Sequence, residues 1–455
     1  MSDWKKVKIG DFLTESKIIA EYSDAEHRIT VRLNCKGIEK RDLKVEKEGA
    51  TKYFIRKAGQ FIYGKQNIHK GAFGIIPQEL DGYTSSADLP SFDFDLSKCN
   101  PEWLCLCLKV DERYKKLQKN VKGVGSQRLA VNDFLKQEIL LPDLSTQKEI
   151  VKVLSKKIEK VELIKSEIES QKSYVKLLRQ NILQEAIEGK LTEEWRKENP
   201  VVKGNPDFDA EALFEKIQEE KCLTDSELLR NSKKKVFEPI SENEQPFEIP
   251  EGWKWVRLGE ICDIIGGYAF NSYDLKPTGD NYVLRLGNIR NNQIRYEAKP
   301  AFISNKITEN LDIYKAKLND IFLTMTGTRG KQDYLYSVLV SKEHLEKYQM
   351  FVNQRVCIIR SIFYPGYVYK TLHSDVLKKP IFESATGSAN QANVGIKAIN
   401  DWVIPFPPLA EQKEIVSRVE KLLANVTELE KQITEREEMT KQLIQSIMKD
   451  AFREE

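Results

Sequence analysis

One apolar pattern is written twice in this chain, and the duplication limits what it can fold into. Gln147-Lys148-Glu149-Ile150-Val151 returns as Gln412-Lys413-Glu414-Ile415-Val416, an offset of 265 residues. The offset persists downstream. Val151, Leu154, Ile158, Val161, Ile164, Ile168, Leu178 and Ile182 map onto Val416, Val419, Leu423, Val426, Leu429, Ile433, Leu443 and Ile447. Spacings of three and four mark a helix with one apolar stripe. Thr146 with Glu149 has the form of a capping box, and Gly189 suits the far end. About 43 residues at ~1.5 Å each make a rod of roughly 60 Å. The second copy runs from Glu411 to about Phe452. A long helix with one apolar stripe needs a partner, and the other copy is the nearest one. Val151, Leu154, Ile158, Val161 and Ile168 are therefore expected to face Val416, Val419, Leu423, Val426 and Ile433.

The repeat extends upstream of each helix. Trp4, Val7, Ile9, Gly10 and Asp11 match Trp253, Val256, Leu258, Gly259 and Glu260 at an offset of 249. Between each such start and its helix lies a module with short β-branched and aromatic runs broken by glycine. In the first, Phe54-Ile55, Phe61 to Gly64 and Gly71 to Pro77 read as strands, and Leu80-Asp81-Gly82-Tyr83 as a turn. Trp103 to Leu108 reads as a buried helix or strand. In the second, Tyr282 to Ile289, Asp320 to Thr324 and Arg355 to Ile359 read as strands. Turns are expected at Arg290-Asn291-Asn292 and Thr326 to Lys331. The stretch from Lys190 to Ile249 is dense in charge and proline, with one plausible helix from Asp209 to Glu220; it reads as a linker with a solvated surface.

Several classes of chemistry are missing from the sequence. No glycine-rich cofactor loop with an Asn/Asp-Pro-Pro-aromatic motif is present. Gly59 to Lys65 begins like a phosphate-binding loop, but Gln66 follows where a hydroxyl is needed. Pro206-Asp207 with Glu219-Glu220-Lys221 imitates a nuclease pattern, but in the polar linker. The seven cysteines are scattered without a CxxC pair, and the four histidines form no cluster, so neither disulfides nor a metal is expected. No run of eighteen apolar residues and no leader-like start appear, so a cytoplasmic, non-membrane protein is expected. With 72 basic and 69 acidic residues, a nucleic-acid binder must gather its cations on one face.

What remains is polar, basic and borne on turns. The second module offers Arg285, Asn288, Arg290, Arg295, Thr326, Thr328, Arg329, Lys331, Gln354 and Arg355. Thr386 to Asn393 follows, with Ser388, Asn390 and Gln391. The first offers Lys57, Lys65, Gln66, Asn67, His69, Lys70, Ser85, Ser86, Gln127 and Arg128. Arginine and lysine suit guanine, asparagine and glutamine suit adenine, and hydroxyls with backbone amides hold phosphates. DNA contact is therefore expected on these loops.

Taken in order, these segments resemble a Type I restriction–modification specificity subunit. Pro250 to Glu260 resembles that family's usual lead into its second domain, and Gly71 to Pro77 with Leu80-Asp81-Gly82 a common stretch of its first. Gly387 to Gln391, Asn400-Asp401-Trp402, Pro405 to Leu409 and Glu411 to Ile415 resemble its usual exit. The resemblance implies an α+β fold: target recognition domains at 1–141 and 250–405, held apart by antiparallel helices at 142–190 and 406–455, with a linker at 191–249. It implies a non-catalytic subunit that reads a split site in double-stranded DNA. Two modification subunits would supply S-adenosylmethionine chemistry, and two restriction subunits ATP- and magnesium-dependent cleavage. The first helix start carries Lys136-Gln137-Glu138 where the second is shorter, so the halves are only quasi-symmetric. A scaffold subunit of another DNA-defence complex is the alternative.

Overall fold

The computed structural model describes residues 4–21, 25–42, 52–117, 128–228, 236–387 and 391–452. The chain divides into two compact units, 1–171 with 432–455, and 172–431. Each unit holds one module and a part of each long helix.

In the first unit, Lys5–Lys8 pairs antiparallel with Glu138–Leu141, placing Val7 opposite Ile139. A four-stranded sheet follows, in the order Leu13–Ser16, Ser91–Phe94, Phe61–Tyr63, Phe73–Ile75. Its core is aromatic. Phe61, Tyr63, Phe92 and Phe134 are fully buried, and the Tyr63 and Phe134 rings lie 4.7 Å apart. The run the sequence left open is a helix, Pro101–Lys109. The Asn100 side chain accepts from Trp103 N at 3.0 Å, and Pro101 needs no donor in the first turn.

The second unit repeats this frame. Lys254–Arg257 pairs antiparallel with Val403–Phe406, with Val256 opposite Ile404. Its sheet runs Cys262–Gly266, Val356–Ser361, Ile321–Thr324, Ser337–Leu339, the same order of equivalent strands. A three-stranded sheet is added, in which Asn281–Leu284 runs parallel to Gln349–Val352. The helix expected within the linker from Asp209 to Glu220 forms, but one of its faces packs into the core rather than against solvent. Ala210–Leu228 is a helix, and Ala210, Leu213 and Ile217 are buried in the core of this unit. Its Lys221 ammonium donates to the Gly259 and Cys262 carbonyls, both at 2.8 Å. The lysine run Lys233–Lys235 lies outside the described residues.

The long helices span Leu144–Ile187 and Leu409–Ala451. The expected cap moves: Asp143, not Thr146, caps the first. Its carboxylate accepts from Ser145 N at 2.8 Å, Thr146 N at 3.1 Å and the Thr146 hydroxyl at 2.7 Å. Those bonds, the hydroxyl's foremost, hold the carboxyl well below its usual range. Gly189 ends the helix at φ +74, as a left-handed cap. The repeated glutamines are structural: Gln147 and Gln412 are buried, and each donates to a proline carbonyl five residues back, Pro142 and Pro407, at 2.8 Å.

The apolar stripe is narrower than its composition suggests. Burial recurs every seventh residue: Leu154, Val161 and Ile168 in the first unit, Val175 and Ile182 in the second. The distal helix buries Val419 and Val426 in the second unit and Ile433 and Thr440 in the first. Val151 and Val416 are also buried, while Ile158 and Leu423 are half-buried. Ile164, Leu178, Leu429 and Leu443 stay exposed, at 39–44%. Polar contacts take their place. Arg436 donates to Gln171 at 3.0 Å in the first unit, and Arg179 pairs with Glu430 at 3.0 Å in the second. Val151 and Leu154 share a core with Met448 and Phe452, so the two helices run antiparallel within that unit.

Candidate nucleic-acid interface

The second module's loops are fixed by side chains that the sequence marks as binding candidates. The strand expected from Tyr282 to Ile289 stops at Leu284, because Asn288 folds the next residues into a turn. Asn288 is buried. Its amide oxygen accepts from Arg285 N at 2.9 Å, and its amide nitrogen donates to the Arg295 and Ala298 carbonyls at 3.1 and 2.9 Å. Asn288 thus clamps a loop whose outer residues are Arg285, Arg295 and Lys299. Arg285 donates to the Lys299 carbonyl, and Arg295 to Gly287 at 3.3 Å. Arg290 donates to its neighbour's carbonyl at 2.7 Å and covers the Tyr336 ring.

A second loop pair meets beside it. Thr326-Gly327 bridges to Ala392-Asn393 as a two-residue ladder, and Thr386 and Asn393 exchange backbone bonds at 3.0 and 2.8 Å. Gly387 sits at φ +115, and a Cβ there would lie 2.3 Å from the Gln391 carbonyl, so glycine is required. Arg329 donates to the Ala385 carbonyl at 2.8 Å and steadies this loop from behind. Thr328 N donates to Asp333 at 2.5 Å, while Lys331 projects outward from a helical turn. Ser388 and Asn390 lie outside the described residues.

Two clefts open between these loops. One, of about 430 Å³, is lined by Thr326, Gln354, Arg355, Thr386, Gly387, Gln391 and Asn393. The other, of about 260 Å³, is lined by Arg285, Leu286, Gly287, Asn288, Ala298, Lys299, Asn353 and Arg355. Neither lining contains a carboxylate. Arg355 lines both. No motif marks Lys299 or Asn353, and only chain folding brings them beside Arg355.

The first module places its candidates around Gly64–Gly71. Asn67 starts a helical turn, Ile68–Lys70, that Gly71 ends at φ +77. Lys65, His69 and Lys70 are on its partly or fully exposed side, and exposed Arg128 pairs with Asp88 at 3.2 Å. Burial and the Lys70 charge hold His69 below its ordinary pKa. Lys57 is exposed beside the Gly59 turn, and Ser86 ends a short strand. Gln127 lies outside the described residues. Among the described residues no His/Cys/Asp/Glu group could hold a metal ion, and no helix is long and apolar enough to cross a membrane.

Residues 1–171 and 250–438 match the family model of the Type I restriction modification DNA specificity domain. The chain is similar to the EcoAI specificity subunit of Escherichia coli, 28% identical over 56% of this chain and 41% of that one. It is also similar to the EcoKI specificity subunit of Escherichia coli strain K12, 25% identical over 70% of this chain and 57% of that one. The matched stretches thus span about half the length of these relatives. Among solved structures, the HsdS subunit from Thermoanaerobacter tengcongensis shares the fold at TM-score 0.52 and 17% identity, over 99% of this chain and 96% of that one. A chain from a study of type I R-M complex assembly shares it at TM-score 0.62 and 17% identity, over 99% and 97%. With both modules matched by one family model on a shared fold, this chain belongs to the Type I restriction modification DNA specificity family.

Proposed function

We propose that this chain is the sequence-reading subunit of a Type I restriction–modification complex. Each module reads one half of a split, asymmetric site in double-stranded DNA. The paired helices set the unread gap and dock two modification subunits. S-adenosylmethionine, ATP and magnesium belong to those subunits and to two restriction subunits, and this chain contributes positioning alone. One observation carries the reading: one frame is built twice, yet the loops it displays differ. The strand pair, the four-stranded sheet and the buried glutamine recur, whereas the second module's three-stranded sheet and its Arg285–Lys299 loop have no counterpart among the described residues of the first. A repeated frame with unlike loops suits a reader of two unlike half-sites. Exchanging residues 250–405 for those of a relative, then mapping methylated adenines in cells carrying the whole complex, tests this. One half-site should change while the other stays. Change in both halves, or in neither, would defeat the reading.

A further inference from the structure

The second module has seven arginines, at 257, 285, 290, 295, 329, 355 and 360. Six have a protein partner for their guanidinium. Arg257 pairs with Glu244 and Arg360 with Asp320. Arg285, Arg290, Arg295 and Arg329 donate to backbone carbonyls. Arg355 alone, among the described residues, has no hydrogen-bond or ion-pair partner for its side chain. It is exposed, on the turn between Gln349–Val352 and Val356–Ser361, and it lines both clefts.

Its place is built. Its carbonyl accepts from Met325 N at 3.0 Å, and Val356 N donates to Asn353 O at 2.9 Å, so the turn is fixed on both sides. Lys299, a second cation with no side-chain partner among the described residues, lines the smaller cleft with it. Gly287 forms part of that wall, and a Cβ there would meet nothing within 4 Å, so the surface is open to an approaching strand. Two cations unpaired among the described residues, lining a cleft whose wall holds no carboxylate, are an electrostatic site for an anionic backbone. The amides of Gln354, Gln391 and Asn393 flank it in the larger cleft, where donor and acceptor sit together as a base edge needs.

We propose that Arg355 is the phosphate anchor of the second module, with Lys299 continuing the same backbone track. The phosphate contact sets register, and the neighbouring amides face the bases. This rests on the DNA-reading role proposed above and adds which residue holds the backbone.

The test uses the assembled methyltransferase complex carrying the wild-type chain, Arg355→Ala, Arg355→Lys, or Arg355→Ala with Lys299→Ala. Binding is measured to a duplex holding the methylated site and to a scrambled duplex, across a fourfold range of salt. One phosphate contact costs about 3–4-fold in affinity over that range. Arg355→Ala should weaken both duplexes by the same factor and flatten the salt slope by about one; the double variant should flatten it by about two. Arg355→Lys should keep the slope, since a phosphate accepts a point charge where a bidentate base contact does not. Because neither side chain makes a hydrogen bond or ion pair among the described residues, the variants should assemble and melt as wild type. Loss confined to the cognate duplex, or an unchanged slope, overturns the anchor. A wild-type complex with no preference for the methylated site instead overturns the DNA reading itself.

Discussion

The two modules share a frame and differ in what braces it. In the first, Arg56 is 1% exposed and, among the described residues, has no ion-pair partner. Its guanidinium donates to the Ser85 and Ser91 hydroxyls at 2.7 and 2.9 Å and to the Leu89 carbonyl at 2.8 Å. Burial lowers its pKa to about 10. In the second, the brace is a paired charge: Arg360 grips buried Asp320 at 2.8 and 3.0 Å. The ties to the helices differ likewise. Trp4 packs edge-on to Trp103 and Phe452, at 6.4 and 6.3 Å. Its repeat partner Trp253 donates instead to buried Glu411 at 2.7 Å, and Glu411 also accepts from Thr192 and Arg196 at 2.7 and 2.6 Å. The same backbone is thus held by apolar rings in one unit and a polar network in the other. The backbone ladder recurs because strand and helix periodicity demand it. The braces are free to diverge, since any fully satisfied buried group serves.

The largest break is expected in the long helices, whose buried row has one residue per heptad. Two residues inserted between Lys165 and Ser170 turn everything downstream by ~200°, taking that row off its partner. The complex should then lose activity. Four residues turn it only ~40° past a full turn and add ~6 Å. If the helices set the gap, methylation mapping should show both half-sites kept and the gap widened by about one to two base pairs of ~3.4 Å each. An active four-residue variant with an unchanged gap would remove the helices as the ruler.

The ties to the helices come next. Glu411→Ala removes the carboxylate that pairs with Arg196 and accepts from the Trp253 indole, and removing one partner of a buried pair costs about 3–5 kcal/mol. Phe452→Leu keeps an apolar filler and should cost less than about 1.5 kcal/mol. Chemical unfolding of the two variants compares them directly. Equal losses would mean that the polar tie is no stricter than the aromatic one.

The smallest effect concerns His373, which is confined to the second unit. Burial, then the Lys378 charge, lowers its pKa to about 3. The unfolded chain takes up a proton near pH 6.5 that the folded chain refuses. Its contribution is therefore full above about pH 6.5 and is lost as pH falls toward 3. Melting temperatures of His373→Gln should fall less steeply across that window than those of wild type. Parallel curves would show that the histidine does not control this limb.

The duplication, the long helices and the strands at Phe61–Tyr63, Ile321–Thr324 and Val356–Ser361 were legible in the sequence because each rests on local periodicity. Leu154, Val161 and Ile168 lie at spacings that a helix imposes whatever surrounds it. Phe61 to Tyr63 and Asp320 to Thr324 are short apolar runs between glycine or polar breaks. The helix cap was misplaced by three residues because Asp143 and Thr146 are both good caps, and the decision rests on which side chain the incoming strand directs at the free amides. The stripe was read too wide because apolar spacing does not say which of two rows the partner helix covers. Only the tertiary structure separated clamps from free groups among the polar residues. Asn288 and Arg329 carry the same side chains that would read a base, but buried Asn288 takes the carbonyls beside it, and exposed Arg329 the Ala385 carbonyl that the fold brings within reach. Arg355 became distinctive only when Arg285–Asn288, Ala298–Lys299, Thr326, Thr386, Gly387, Gln391 and Asn393 came to line clefts with it and, among the described residues, left its side chain unpaired. Residue type sets what a side chain can bind. Folding decides which side chains the protein has already bound itself, because that depends on groups brought together from distant parts of the chain.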